Sequence, residues 1–226
     1  MPHARGSFNG LLARQGHLTS ALRGPQLSQP SSVLVHTCCG ICVAAILEPL
    51  RHRGRFSLFF FNPNIHPLLE MRRRLKAVQV LADREDLPLI ADNRYGLREF
   101  LHDVPWDRPE RCLACYRIRL NETARVAAER GFGAITTTLL GSTHQDHEAV
   151  RRIGAEEAAA RGLEFIYEDW RPLAAHGHDE ARRHSLYRQQ YCGCVFSEEE
   201  RFAPTRVYVY RGPSAHGSAD PEEAGS

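Results

Sequence analysis

The stretch VLVHTCCGIC, residues 33–42, decides the fold because it joins an apolar strand to a cluster of thiols. Its first three residues form the short aliphatic run that is typical of a strand buried on both faces. Cys39 and Cys42 follow, three residues apart, where the strand gives way to a helix. At such a junction the free amide groups and the dipole of the helix stabilise a thiolate. The stretch therefore predicts a buried strand that delivers reactive thiols to the first turn of a helix.

The rest of the chain continues this alternation of short apolar strands and longer helical patterns. Four further strands are predicted, at residues 56–61, 87–90, 134–138 and 164–167. Helices are predicted from Pro67 onward, over 116–130 and over 147–161, the last with Asp146 as its N-cap. Such alternation predicts an α/β fold, a mostly parallel sheet with helices on both faces. Because ligands bind outside the carboxyl ends of parallel strands, we expect a metal site at that edge.

Length and composition set the limits of this domain. The chain has 226 residues, of which 42% are hydrophobic and 25% charged, and its net charge is +2. This is enough for a single catalytic domain, predicted over residues 31–211. Residues 1–30 carry three arginines and no acidic residue, which predicts a disordered extension or a targeting segment, and residues 212–226 are predicted to be a disordered tail. No apolar run reaches about 18 residues and no secretory signal is present, so we expect no membrane span and a cytoplasmic location.

Seven cysteines are the strongest chemical signal in the sequence. A second pair, Cys112 and Cys115, has the same spacing as Cys39 and Cys42. In a chain of this length, closely spaced cysteines serve metal or redox chemistry more often than a disulfide framework. If the two pairs meet in the fold, their thiolates suit zinc or an iron–sulfur cluster. A thioredoxin-like dithiol and a structural zinc site are alternatives that the spacing leaves open.

Cys192 and Cys194 are separated by a single glycine, unlike either pair. A disulfide between them closes only a tight, strained ring, and Gly193 allows the unusual backbone angles that this ring needs. Strained disulfides are easily reduced, so the spacing indicates a redox-active pair. Two metal ligands or two idle thiols are the alternatives.

Other polar side chains at predicted strand ends are candidates for proton transfer. Asp169 is a candidate general acid if burial raises its pKa, and its alternative role is to cap a helix or pair with an arginine. His36 and His66 could donate protons or bind metal, or merely cap loops. The triplet at residues 72–74, three consecutive arginines, is expected to be a solvated helix face or a contact to RNA phosphate.

Six motifs, in this order and spacing, resemble those of the cobalamin-independent QueH family of epoxyqueuosine reductases. The motifs are HTCCGIC, FFFNPNIHP, CLACYRIRL, TTTLL, EDWRP and LYRQQYCGCVFS, and they extend over residues 33–200. The resemblance implies a Rossmann-like fold, similar to HUP and PP-loop domains. It also implies the last step of queuosine formation, the reduction of epoxyqueuosine to queuosine at the wobble position of tRNAs with a GUN anticodon.

The resemblance further implies a [4Fe–4S] cluster and a set of site residues. Cys38 and Cys39 match the first pair of ligands, Cys112 and Cys115 match the second pair, and Cys192 and Cys194 match a redox-active disulfide. Cys42 has no assigned role, and a second mononuclear metal, iron or zinc, beside the cluster is an option. The electron donor is unidentified. Among possible proton donors Asp169 ranks first, followed by His66 and Tyr116.

Two other functions compete with this one. A cluster-containing tRNA thiolase, or an ATP pyrophosphatase on a similar sheet, needs a glycine-rich phosphate loop after the first strand, where this chain has Thr37-Cys38-Cys39-Gly40. A structural zinc protein that binds RNA would be colourless, whereas an iron–sulfur enzyme absorbs visible light. The oligomeric state and the contacts to the anticodon loop are not encoded in any motif.

Overall fold

The computed structural model describes residues 32–204 and contains one parallel sheet of five strands. The strands are β1 (Val33–His36), β2 (Phe56–Phe60), β3 (Leu89–Ala91), β4 (Ala134–Thr137) and β5 (Glu164–Phe165). Their order across the sheet is β3-β2-β1-β4-β5, and every neighbouring pair is parallel. The predicted α/β fold is therefore confirmed, with a sheet that is wholly parallel. β1 occupies the centre, between β2 and β4.

Residues 32–204 also form seven α-helices and two short 3-10 helices, and the last three of these nine helices follow β5. The α-helices are α1 (Gly40–His52), α2 (Leu68–Arg84), α3 (Leu97–Asp103), α4 (Arg111–Glu129), α5 (His147–Ala159), α6 (Ala174–Arg183) and α7 (Val195–Phe202). The 3-10 helices are Thr138–Gly141 and Arg171–Leu173. None of the helices in this part of the chain is long and apolar enough to cross a bilayer.

The helices cover both faces of the sheet because successive side chains of a strand point to opposite sides. Val33 and Val35 of β1 belong to the larger apolar core, which α1 and α2 share. Leu34 points the other way, into a smaller core with Ala124 and Ala127 of α4. The strands are thus buried on both sides, as their continuous apolar sequences predict.

α6 packs closely against α1, the helix that begins at the first cysteines. A Cβ atom at Gly177 would lie 2.7 Å from the Cβ of Ala45 and 2.8 Å from the carbonyl oxygen of Ile41. The helices can approach this closely only because residue 177 has no side chain. This contact holds α6 directly against α1.

The observed elements differ from the predicted ones at their boundaries. α4 begins at Arg111, so Cys112 and Cys115 lie in its first turns and not ahead of the helix. β5 ends at Phe165, which leaves Asp169 four residues beyond the strand. The sequence patterns also gave no prediction for α3, α6 and α7, which are short. The predicted extension 1–30, the predicted tail 212–226 and both ends of the predicted domain lie outside the described residues.

Candidate functional site

The thiols of Cys38, Cys39 and Cys42 form a cluster between the end of β1 and the first turn of α1. We call these three residues the thiol triad. Their sulfur atoms all lie within 4.8 Å of one another, with 3.8 Å between Cys38 and Cys39 and 2.6 Å between Cys39 and Cys42. Cys39 is the N-cap of α1, and its sulfur accepts a hydrogen bond from the amide of Cys42 at 3.4 Å. The capping geometry thus brings the thiols together.

Burial and mutual hydrogen bonds shift the pKa values of the three thiols in different directions. Hydrogen bonds from Cys39 and Cys42 hold the pKa of the Cys38 thiol well below its usual value. Burial raises the pKa of the Cys39 thiol, and hydrogen bonds to its two partners raise that of Cys42. Gln189 donates a hydrogen bond from Nε2 to the sulfur of Cys39 at 3.0 Å. Of the three thiols, Cys38 is therefore the one whose thiolate form the neighbours stabilise.

The remaining four cysteines line a single pocket. This four-thiol pocket is bounded by Cys112 and Cys115 from α4 and by Cys192 and Cys194 from the segment before α7. The rest of its wall is polar and apolar: the polar residues are Asn64, Arg111, Tyr116, Arg119 and Gln145, and the apolar ones are Phe100, Val104 and Phe196. Gln145 reaches the sulfur of Cys192 with its Nε2 at 3.5 Å. Two helix N-termini therefore present their thiols to one cavity.

The structure divides the four predicted cluster ligands between these two groups. Cys38 and Cys39 lie in the triad, together with Cys42, while Cys112 and Cys115 lie in the four-thiol pocket. Among residues 32–204, the triad is the group of three potential metal ligands whose donor atoms all lie within 4.8 Å of one another. Arg119 lines the four-thiol pocket, and its positive charge interacts with thiols of both groups.

The donor chemistry of both groups fits a thiophilic metal. Thiolates bound tetrahedrally at about 2.3 Å from one ion lie roughly 3.8 Å apart, which is the distance between Cys38 and Cys39. The triad could thus hold a metal ion. Four thiols around one pocket are the donor set of zinc and of iron–sulfur clusters. All seven thiols are free, so none is committed to a disulfide.

Buried charges on α2 fix the position of the Cys192 segment. Arg74 donates hydrogen bonds to the carbonyl oxygens of Cys192 at 2.9 Å and Tyr191 at 3.0 Å, and pairs with Glu70 at 2.7 Å. The hydroxyl of Tyr187 donates to the same carboxylate. The arginine triplet is therefore not uniform: Arg72 and Arg73 are exposed, whereas Arg74 is only 1% exposed because it lies on the inner side of α2.

Gly193 gives the Cys-Gly-Cys segment its shape. Its φ of +137° lies in a region that L side chains rarely adopt, in line with the special backbone angles that the spacing predicts. Its carbonyl oxygen accepts a hydrogen bond from the amide of His66 at 2.7 Å, and its amide donates to Ser197 Oγ at 3.2 Å. Cys194 then caps α7, with its sulfur 3.4 Å from the amide of Ser197. The redox-active disulfide itself stays a prediction.

The segment that carries both thiol groups also matches a known family. The family model described as "Epoxyqueuosine reductase QueH" matches residues 33–200, a range that contains all seven cysteines. The chain belongs to the QueH family.

Three relatives named epoxyqueuosine reductase QueH show the extent of the similarity. The relative from Dehalococcoides mccartyi is 36% identical over 173 residues, which are 75% of this chain and 94% of the relative. The relative from Thermotoga maritima is 32% identical over 183 residues, or 75% and 92% of the two chains. The relative from Acinetobacter baylyi is 29% identical over 204 residues, or 84% and 93%. The likeness thus extends over nearly the whole length of each relative.

The two histidines expected near the QueH site are buried. His36 Nδ1 lies 2.9 Å from Thr137 Oγ1 and Nε2 lies 3.2 Å from the carbonyl oxygen of Phe61. Burial lowers the pKa of His36 to about 4, so its imidazole is neutral and connects the ends of β1, β2 and β4. His66 lies 3.0 Å from the carbonyl oxygen of Pro63 through Nε2, and burial lowers its pKa as well. Both rings therefore hold loops in place in this structure.

Asp169 does not meet the condition on which its role as a general acid depends. Its side chain is 38% exposed and binds Arg171 through both carboxylate oxygens, at 2.8 and 2.5 Å. This hydrogen bonding lowers the pKa of Asp169 to about 2 instead of raising it. The carboxylate is consequently ionised at neutral pH and has no proton to donate. The alternative expected from the sequence, an arginine partner, is the arrangement that the structure shows.

Tyr116 is better placed as a proton donor for the family's reaction. It lines the four-thiol pocket beside Cys115 and is buried. Its hydroxyl oxygen accepts a hydrogen bond from the amide of Asp146 at 3.2 Å, which leaves the O–H proton available. Burial raises the pKa of Tyr116 to about 12, so this proton is present at neutral pH.

Arg119 and Gln189 are site residues for which the sequence analysis gave no role. Arg119 follows Cys115 by four residues, so the two share one face of α4. That spacing could have indicated that Arg119 lies beside Cys115 at the site. It is weak evidence, because an arginine on a helix is usually exposed to solvent. Gln189 contacts the triad although it lies 147 residues after Cys42 in the chain. No local sequence pattern could reveal a contact between such distant residues.

We predict that Arg74→Gln lowers the free energy of unfolding by about 3–5 kcal/mol, because it leaves the buried carboxylate of Glu70 without its partner. Denaturant unfolding monitored by circular dichroism measures this change. Arg72→Gln is the matched control: this exposed neighbour on the same helix should change the value by less than about 0.5 kcal/mol. Equal effects of the two substitutions would contradict the anchoring role of Arg74.

Proposed function

We propose that this protein is an epoxyqueuosine reductase that converts epoxyqueuosine to queuosine at the wobble position of tRNA with a GUN anticodon. The observation that carries the proposal is the match of residues 33–200 to the QueH family model, a range that includes both thiol groups. An oxidoreductase needs redox-active groups, and neighbouring soft thiols supply the ligands for them. The proposed place of action is the cytoplasm.

The reaction sets what the site has to supply. Removal of the epoxide oxygen breaks two C–O bonds, forms one C=C bond and releases water, so it consumes two electrons and two protons. A dithiol that closes to a disulfide releases two electrons and two protons. We propose that Cys192 and Cys194 play this role, since both are free thiols on the wall of the same pocket. An external electron donor of unidentified nature then restores the dithiol.

We propose Cys38, Cys39, Cys112 and Cys115 as the ligands of a [4Fe–4S] cluster. When bound, such a cluster supplies electrons one at a time. The proposal is supported by the proximity of the two thiol groups, because the charge of Arg119 acts on Cys38 as well as on Cys115. Cys42, the triad thiol that this cluster does not use, would be a ligand of a second, mononuclear ion, iron or zinc, beside the cluster.

The competing functions have less support. A thiolase or pyrophosphatase of similar fold needs a phosphate cradle after β1, and here the corresponding residues form the thiol triad. In a structural zinc protein that binds RNA, the triad would bind the zinc ion. This function would not explain why four further thiols line one pocket. The colour of protein purified without oxygen separates this reading from the enzyme, because zinc thiolates do not absorb visible light.

The first test uses anaerobically reconstituted protein with tRNA that contains epoxyqueuosine, with dithionite as the reductant. We expect nucleoside mass analysis to show a product lighter by one oxygen atom. Heat-inactivated protein and tRNA without the epoxide are the controls. An unchanged nucleoside in the presence of protein that holds iron and sulfide would overturn the proposed function.

The proposed ligands are tested by counting iron and acid-labile sulfide in serine variants. We expect Cys112→Ser to lose iron and sulfide together, because a cluster contains both elements. Cys42→Ser should lose metal but keep sulfide, because a mononuclear ion contains none. If Cys112→Ser keeps its full sulfide content, Cys112 is not a cluster ligand.

Tyr116 and Asp169 are distinguished as proton donors by two conservative substitutions. We expect Tyr116→Phe to lower the single-turnover rate constant by about 10²-fold or more, since it removes the available proton. Asp169→Asn should retain most of the activity, because the ionised carboxylate has no proton to give. Single-turnover rates with matched cluster content provide the measurement. A large loss in Asp169→Asn with a near-normal Tyr116→Phe would return the role to Asp169.

A further inference from the structure

Arg119 is buried and, unlike Arg111, Arg117 and Arg125 of the same helix, has no carboxylate partner among residues 32–204. Its side chain is 1% exposed and lines the four-thiol pocket. Nε donates a hydrogen bond to the carbonyl oxygen of Cys115 at 3.1 Å, and the guanidinium lies 5.8 Å from the centre of the Tyr116 ring. One terminal nitrogen, Nη2, is buried without any hydrogen-bond partner. The guanidinium is thus only partly satisfied by its neighbours.

No carboxylate of residues 32–204 pairs with Arg119 within 4.0 Å. Arg74 is equally buried, but its positive charge is balanced by the carboxylate of Glu70 at 2.7 Å, as is usual for a buried arginine. A buried charge without a counter-charge is strongly unfavourable. The groups beside it that can provide one are thiols, because Arg119 contacts the main chain of Cys115 and lines the same pocket as Cys115 and Cys192. The thiol of Cys38 also interacts with its charge.

A packing role alone does not account for this residue. An aliphatic side chain would fill the same space without the cost of desolvating a guanidinium. The free energy of desolvating the guanidinium is offset if the thiols around Arg119 become negatively charged. This happens when they bind a metal group as thiolates. A cluster held by four thiolates carries net negative charge, and each added electron increases it.

We propose that Arg119 is the built-in counter-charge of the thiolate-bound metal group, and that it raises the reduction potential of this group. The proposal rests on the proposed function, because it assigns a positioning residue to the same site. A fixed positive charge stabilises the more negative, reduced form and so makes reduction easier. Arg119 acts on both thiol groups, so it serves the site as a whole.

The test compares midpoint potentials in the reconstituted protein, without tRNA, by EPR-monitored redox titration. We expect Arg119→Gln to shift the midpoint to a more negative potential, and Arg119→Lys to recover much of that shift. Arg117→Gln is the matched control. It removes the same charge two residues away on α4, where Arg117 is half exposed and already paired with Glu156 and Glu157, so we expect no shift.

The outcomes separate this proposal from the proposed function. Equal midpoints in Arg119→Gln and the wild type, at equal iron and sulfide content, would overturn the counter-charge and leave the reductase function standing. A wild-type protein that takes up neither iron nor sulfide overturns both. Arg119→Met is the second neutral variant. If neither neutral variant folds, Arg119 is needed for folding and the proposal is wrong. Under the proposal, the buried charge does not stabilise the metal-free protein, so both neutral variants should fold.

Discussion

β1 is held between two parallel neighbours, and this pairing positions the first thiols. Its four residues pair with β2 on one side and with β4 on the other. The His36 ring extends this connection, because it contacts Thr137 at the end of β4 and the Phe61 carbonyl after β2. Asn62 adds a hydrogen bond from Nδ2 to the Thr37 carbonyl at 2.8 Å. Three strand ends are tied together directly before Cys38, so α1 starts from a rigid base.

All seven cysteines lie at or close to the N-terminus of a helix. Cys39 and Cys194 are N-caps of α1 and α7, and Cys112 and Cys115 lie in the first turns of α4. Amide groups and the helix dipole favour a negatively charged sulfur at these positions. Burial opposes this effect in the four-thiol pocket, where it raises the pKa of Cys115 to about 12 and also raises the pKa values of Cys112 and Cys192. These thiols therefore become thiolates when they bind a metal, and Arg119 places a full positive charge in the wall of the same pocket.

Regular patterns in the sequence determined what could be predicted. The five strands and the cap at Asp146 follow from local apolar runs and from one polar side chain before a helix, and the structure confirms both. The start of α4 was predicted too late, because its inward stripe is apolar only from Leu120 onward, and Cys115 and Arg119 continue it towards the N-terminus. The grouping of the seven thiols depends on how distant segments dock, and spacing alone does not specify this. Asp169 was ranked as an acid on its position near a strand, whereas its neighbour Arg171 decides its charge.

The anchoring of the last thiol segment is made through its main chain. Arg74 binds the carbonyl oxygens of Tyr191 and Cys192, and the amide of His66 binds that of Gly193. The Cys192 sulfur takes no part in these bonds. The proposed change of Cys192 between thiol and disulfide would therefore leave these main-chain hydrogen bonds intact, so that the sulfur could react while the backbone around it keeps its position.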